Sequence, residues 1–221
     1  MAGSFVVARG EDEPPTVAGS RAASRQAALW PIAGVVAGPL ALAALGTTHP
    51  THLEGGTAGW WTNLHLILIP LFPLLGLNLW WLLAGERGVL AWVGRTAAFV
   101  YLTFYGGLDL LAGVAAGIVR DRATRAGTGE FATVEPWLFA TGNDLGDIGV
   151  YAFLLGAVIA CDLILARHGR RATPGAALII VGALLFTRSH IYFPVGVGAM
   201  TLLAAGCGLL QRVRLGAVVR G

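Results

Sequence analysis

Residues Ala98 to Arg120 read AFVYLTFYGGLDLLAGVAAGIVR, an apolar run with a single carboxylate, Asp109, in its middle. A helix needs about 20 such residues to cross the roughly 30 Å hydrocarbon layer of a bilayer, and this stretch supplies them. Its surroundings exclude a soluble domain. Of 221 residues, 56% are hydrophobic and 12% charged, and the mean hydropathy is +0.70, a balance that leaves too little polar surface to coat a globule in water.

Comparable stretches recur at about 28–46, 63–83, 90–118, 146–166, 174–187 and 194–211, each ended by Arg, Gly, Pro or Asn. The expected fold is therefore all-α: a polytopic membrane protein built as a bundle of six transmembrane helices. Residues 1–27, which include GEDEPPTVAGS, form a polar Pro/Gly-rich segment that cannot bury enough surface to fold and read as a disordered cytoplasmic tail. Residues 28–211 form one transmembrane domain, and 212–221 a second cytoplasmic tail. The segment TRSHIYFP between the last two spans also admits one broken helix in place of two.

Every one of the 15 basic residues is Arg, a bias that reads as a high-GC bacterial genome. With six spans and the N-terminus inside, Arg9, Arg21, Arg25, Arg87, Arg95, Arg167, Arg170, Arg171, Arg212, Arg214 and Arg220 lie on one side. Only Arg120, Arg122, Arg125 and Arg188 lie on the other. Positive charge concentrates on cytoplasmic flanks, so both termini are expected in the cytoplasm and the protein in the bacterial cytoplasmic membrane. The net charge of +3 comes from these flanking clusters rather than from a basic stripe with interleaved aromatics, which argues against nucleic acid. Cys161 and Cys207 fall within apolar segments near the cytoplasmic end and are expected as free thiols.

That topology gathers four of the five histidines on the outer side. His49 and His52 follow span 1, His65 opens span 2, and His190 lies in the turn before span 6. In HPTH two imidazoles stand three residues apart, and Glu54 adds an oxygen, so His49, His52, Glu54 and His65 form a candidate divalent-metal set. His65 with His190 is a candidate pair for a haem. Histidines at a helix end also serve simply to meet lipid headgroups, and that reading stays open. His168, in the Arg-rich inner loop, has no assigned role.

Asp109 stands eleven residues before Arg120, about 16 Å along a helix and near the bilayer midplane. An ionisable group there costs about 3 kcal/mol and faces a bundle interior or a wet cavity. Tyr105 precedes it by one helical turn. A protonated packing residue bonded to tyrosine, and a residue that carries protons or contacts a ligand, both fit the position. Asn143, Asp144 and Asp147 are expected to cap the outer start of span 4.

The set WWTNLH at the start of span 2, GGLD in span 3 and a polar outer turn before the last span resembles a group of uncharacterised actinobacterial-type multi-pass membrane proteins. The likeness covers about residues 45–211 and implies a compact helical bundle with no particular activity. No zincin, GxSxG or Ser–His pattern is present, so a non-catalytic role is expected. The leading expectation is a binding or accessory subunit with a polar, His-rich outer vestibule, in contact with lipid and with other membrane subunits. A metal- or haem-binding redox protein or enzyme is the first alternative. The second is a small transporter in which Asp109 handles protons or cations.

The Arg asymmetry generates a direct expectation. Cysteine at Thr128 (Thr128→Cys) should react with a membrane-impermeant thiol reagent in intact cells, and cysteine at Gly169 (Gly169→Cys) should not. The opposite pattern would invert the bundle.

Overall fold

The computed structural model describes residues 17–127, 129 and 133–218, and every element in it is helical. In chain order these are α1 (Val17–Gly46), α2 (Ala58–Leu71), α3 (Pro73–Leu82) and α4 (Val89–Leu108); a π-helical segment (Asp109–Ala115) leads into α5 (Ala116–Ala126); and α6 (Val134–His168), α7 (Thr173–Ser189) and α8 (Val195–Val218) follow. Five stretches are long and apolar enough to cross a membrane: Leu29–Gly46, Ala58–Leu82, Val89–Ala126, Val134–Ser189 and Val195–Gly216. They are compatible with an integral membrane protein. The fourth holds two helices, because the 3-10 turn Gly169–Arg171 folds α7 back along α6. Cys161 Sγ lies 3.8 Å from the Ala176 carbonyl, and Phe153 faces Phe186 at 5.8 Å between ring centres, as an antiparallel pair requires.

Several boundaries differ from those read off the sequence. Residues 1–16 lie outside the described residues, but α1 begins at Val17, so part of the tail expected to be disordered is helical. Its run RAASRQAAL is rich in Ala, the strongest helix former. Between the spans read at 90–118 and 146–166 the described residues are largely helical, because α5 runs to Ala126 and α6 starts at Val134. Asn143, Asp144 and Asp147 therefore lie well inside α6 instead of capping it. At the other end α8 continues to Val218, through most of the second expected tail.

Prolines and their compensations shape the rods. Pro39 lies inside α1 and has no N–H, which deprives the Val35 carbonyl, four residues earlier, of its helical partner. The buried Asn78 side chain donates to that carbonyl at 2.7 Å. Pro70 and Pro73 bracket Phe72, where α2 gives way to α3. There the Tyr101 hydroxyl donates to the Phe72 carbonyl at 3.2 Å. An unpaired carbonyl is expensive where no water reaches, and at Pro39 the chain has recruited a donor from a neighbouring helix; the Phe72 carbonyl, which also accepts from the Leu75 N–H at 3.0 Å, gains in Tyr101 a second donor that ties α4 to the α2–α3 junction.

Packing is closest between α4 with its π-helical continuation and α6. Gly142, Gly146 and Gly149 lie on one face of α6, and a Cβ at Gly149 would stand 2.7 Å from the Tyr105 backbone nitrogen. Small residues at such a seam let backbones approach and gain dispersion contact. Outward faces carry Leu66, Ile67, Leu77, Phe99, Leu110, Tyr151, Leu155 and Leu184, all exposed.

The rod ends fall into two groups. At one end Trp60 Nε1 donates to the Thr48 carbonyl at 2.9 Å, and Arg120 pairs with Glu135 at 2.6 Å. At the other, Arg95 bonds the Leu83 and Glu86 carbonyls at 2.7 and 3.0 Å, Arg167 pairs with Glu86 at 2.9 Å, and Arg214 bonds the Trp81 and Ala84 carbonyls.

The proline compensation is testable by a double-mutant cycle. Asn78→Ala strands the Val35 carbonyl and should cost about 1–3 kcal/mol in thermal or denaturant unfolding. In a Pro39→Ala background the helix regains its own N–H donor, and the same substitution should cost clearly less. Equal losses would show that Asn78 acts through packing alone.

Candidate metal centre

Three histidines meet at the end of the bundle that carries the Arg120–Glu135 pair. One ring nitrogen each from His49, His65 and His190 lies within 4.8 Å of the others. His49 and His65 are buried at 6% and 4% exposure, and His190 is partly covered.

His49 is delivered by the end of α1. Thr47 and Thr48 turn their hydroxyls back to the Ala44 and Leu45 carbonyls at 2.7 and 2.8 Å, which satisfies two of the acceptors a helix leaves open at its C-terminus. The chain leaves the helix, and His49 points inward with Nδ1 2.8 Å from the Pro50 carbonyl. His65 stands on α2 with Nδ1 2.8 Å from the carbonyl of Trp61, one turn earlier. A carbonyl only accepts, so in both residues Nδ1 carries the proton and Nε2 the lone pair. His190 follows α7 with φ 45°, a left-handed conformation that a side-chain-bearing residue adopts at some cost and that tends to persist at functional positions. Its Nδ1 lies 2.6 Å from the Tyr105 hydroxyl. The Nε2 atoms of His49 and His190 are buried with no protein partner.

Close approach of the backbone makes the cluster possible. A Cβ at Gly46, at the end of α1, would overlap the Ile191 carbonyl, so this glycine lets the His190 turn settle onto α1. Gly113 does the same for His65, whose imidazole occupies the space a Cβ would need. Gly113 belongs to the π-helical segment, whose Ala112 carbonyl accepts from Trp61 Nε1 at 3.1 Å. Trp61 thus holds both the wide turn, through its indole, and His65, through its carbonyl.

Aromatic rings enclose the imidazoles. Tyr192 lies 4.4 Å from His49 between ring centres, Trp61 5.1 Å from His49, and Phe72 5.1 Å from His190. Burial lowers the pKa of His49, and the bond to Pro50 offsets part of that fall. Burial also takes His190 well below the ordinary histidine value, helped by its two imidazole neighbours. Tyr192 is pushed up to about 12 by burial and by the Asp109 carboxylate. Asp109 itself is fully buried, and neither carboxyl oxygen has a partner.

The cluster differs from the set expected in HPTH. His52 and Glu54 are exposed and lie outside it; the Thr57 hydroxyl instead bonds the His52 carbonyl and the Glu54 amide to form a surface turn. Pro50 sends the chain away from His49, so three-residue spacing does not place the two rings on one face. His190, 141 residues beyond His49 in the chain, takes the third place. In sequence Trp61 reads as an interface tryptophan and Gly113 as one of a close-packing pair with Gly117, neither as a site residue, and Tyr192 carries no separate signal. The only local signals were the Trp61–His65 spacing of one helical turn and the place of Tyr192 in the His190 turn.

Acid sensitivity follows from the buried imidazoles. Below about pH 6.5 the unfolded chain binds protons that folded His49 and His190 refuse, so stability is intact above that pH and falls as pH drops through it. With chelator present, the loss should approach about 1.4 kcal/mol per pH unit for each such histidine, and His49→Gln should remove one such contribution. Thermal melts between pH 8 and 5 read this directly, and a slope unchanged in His49→Gln would contradict it.

Comparison of the chain with protein-family models, curated proteins and solved structures finds no match, so the centre is read from its own geometry.

Proposed function

We propose that this protein is a six-span membrane protein of the bacterial cytoplasmic membrane that binds a divalent first-row transition metal through His49, His65 and His190 on its outer side. The observation that carries the metal reading is the convergence of three imidazoles: the carbonyls at Nδ1 leave the Nε2 lone pairs of His49 and His65 for an ion, and His190 offers its own when its Nδ1 donates to the Tyr105 hydroxyl. Three atoms all within 4.8 Å of one another have a common centre no more than about 2.8 Å from each, against Zn–N bonds of about 2.0–2.1 Å, so ring movements of under about 1 Å complete the coordination. Imidazole suits Zn, Cu, Fe and Ni, and a three-histidine set leaves a fourth position for water or a small ligand. The hydrogen bonds at Nδ1 are the outer contacts that orient ligating histidines and raise their basicity.

His49 stands edge-on to both His65 and His190, at 5.1 and 5.5 Å between ring centres. That geometry favours a compact ion over a flat haem between His65 and His190. Asp109, unpaired and within electrostatic reach of Tyr105 and Tyr192, can balance the charge of a buried cation. Six crossings are supported by the antiparallel α6–α7 pair: α7, at 17 residues, meets the shortest length that spans a bilayer. The excess of Arg at the far end of the bundle supports cytoplasmic termini. A binding or accessory role fits a centre enclosed by aromatic rings.

Metal analysis of the purified protein should find about one ion per chain. His49→Gln and His65→Gln should each weaken binding by more than about 100-fold, and Tyr105→Phe, which loses only the contact to His190, by about 10–100-fold. Stoichiometric metal retained in His65→Gln, or none in the wild type after loading with zinc, copper and nickel, would refute the reading.

A further inference from the structure

At the end of the bundle opposite the histidines, a cavity of about 520 Å³ opens between α6, α7 and α8. Arg167, His168, Arg171 and Arg212 line it together with Pro174, Gly175, Leu209 and Val213. No carboxylate contributes to its wall. Arg167 is paired with Glu86, whereas Arg171 and Arg212 have no ion pair or hydrogen-bond partner among the described residues. Pro174 and Gly175 belong to the first turn of α7, whose helix dipole adds further positive potential.

The cavity lies at a definite level. Arg167 reaches Glu86, and Arg214, two residues beyond Arg212, bonds the carbonyls of Trp81 and Ala84. Trp80, Trp81 and Trp92 are exposed at that same end, and indole rings collect where hydrocarbon meets headgroups. Two unpaired guanidiniums, a helix N-terminus and an apolar side wall thus face the depth at which lipid phosphates lie. Guanidinium matches phosphate with a planar fork of donors, and its positive charge draws anionic lipid to a cytoplasmic surface.

We propose that this cavity binds the phosphate group of an anionic phospholipid, with the lipid's glycerol and upper acyl carbons against Leu209, Val213 and Pro174. The apolar wall distinguishes a lipid from free phosphate, which has nothing to place there. Zwitterionic lipid is disfavoured because its ammonium would meet arginines and no carboxylate in the wall. The site is independent of the metal centre, at the other end of the bundle.

Native mass spectrometry of the full chain in detergent, titrated with phosphatidylglycerol and separately with phosphatidylcholine, tests the assignment. The wild type should bind one phosphatidylglycerol in preference to phosphatidylcholine. In Arg171→Gln/Arg212→Gln the affinity should fall about 30-fold, at roughly 1 kcal/mol per Arg at a membrane surface. Arg188→Gln, at the opposite end, should bind as the wild type does, and Arg171→Lys/Arg212→Lys should recover part of the loss. Tryptophan fluorescence melts establish that each variant is folded, and the Lys pair carries the test if the Gln pair is not. Unchanged phosphatidylglycerol binding in the Gln pair, or equal binding of both lipids by the wild type, would overturn the proposal. Saturation by inorganic phosphate without binding of phosphatidylglycerol would also overturn it, in favour of a soluble phosphate ligand.

Discussion

An unpaired peptide group in hydrocarbon costs several kcal/mol, and that cost governs every feature of this chain. It explains why the elements among the described residues are helical, and why polar side chains from neighbouring helices bond carbonyls at several irregular points. Pro39 frees the Val35 carbonyl, and Asn78 covers it. Tyr101 adds a second donor to the Phe72 carbonyl where α2 gives way to α3, and Trp61 bonds the Ala112 carbonyl in the π-helical segment. These polar side chains are among the few buried in an apolar interior, and each joins two helices. The bonds that repair the backbone are therefore also those that set how the helices lie against one another.

The candidate metal centre is assembled from the same repairs. Trp61 uses its indole to steady the widened turn in which Gly113 lies, and its own carbonyl to orient His65, which packs on Gly113. A π-helical turn gives up regular hydrogen bonding and persists where it positions something useful. Here it opens at Asp109, whose unpaired carboxyl belongs to the aromatic surroundings of the three imidazoles. Tyr105, one turn before Asp109, bonds His190 across 85 residues of sequence. The π-helical stretch thereby places a carboxyl group and the surface on which His65 rests, and the turn of α4 just before it places the Tyr105 hydroxyl against His190.

The two ends of the bundle differ in chemistry because they differ in how charge is compensated. At the histidine end the imidazoles lie behind aromatic rings, and burial lowers the pKa of His49 and His190. At the other end, guanidiniums cap carbonyls at Leu83, Trp81 and Ala84 and pair with Glu86, yet the α6–α7–α8 junction retains unpaired positive charge. A neutral set of nitrogen donors suits a cation, and an uncompensated set of cations suits an anion.

Much of the architecture is written in composition and spacing. The apolar stretches, the tyrosines one and two turns before Asp109, and the prolines bracketing Phe72 are legible because they depend on helical periodicity and on the chemistry of single residues. Helix ends were less legible: Ala-rich and amphipathic flanks such as 17–27 and 120–126 carry no stop signal, so α1 and α5 extend through them. The histidine cluster could be anticipated only in part. His49 and His65 share a short connection and were expected near each other, but the backbone at Pro50 decided that His52 faces solvent. His190 is the third member because Gly46 lets the turn that carries it settle onto α1, while Gly113 makes room for His65. Local periodicity determines which residues form helices and which faces are apolar; which imidazoles share a point depends on approaches of a few ångströms between distant segments, and these exist only once the bundle has packed.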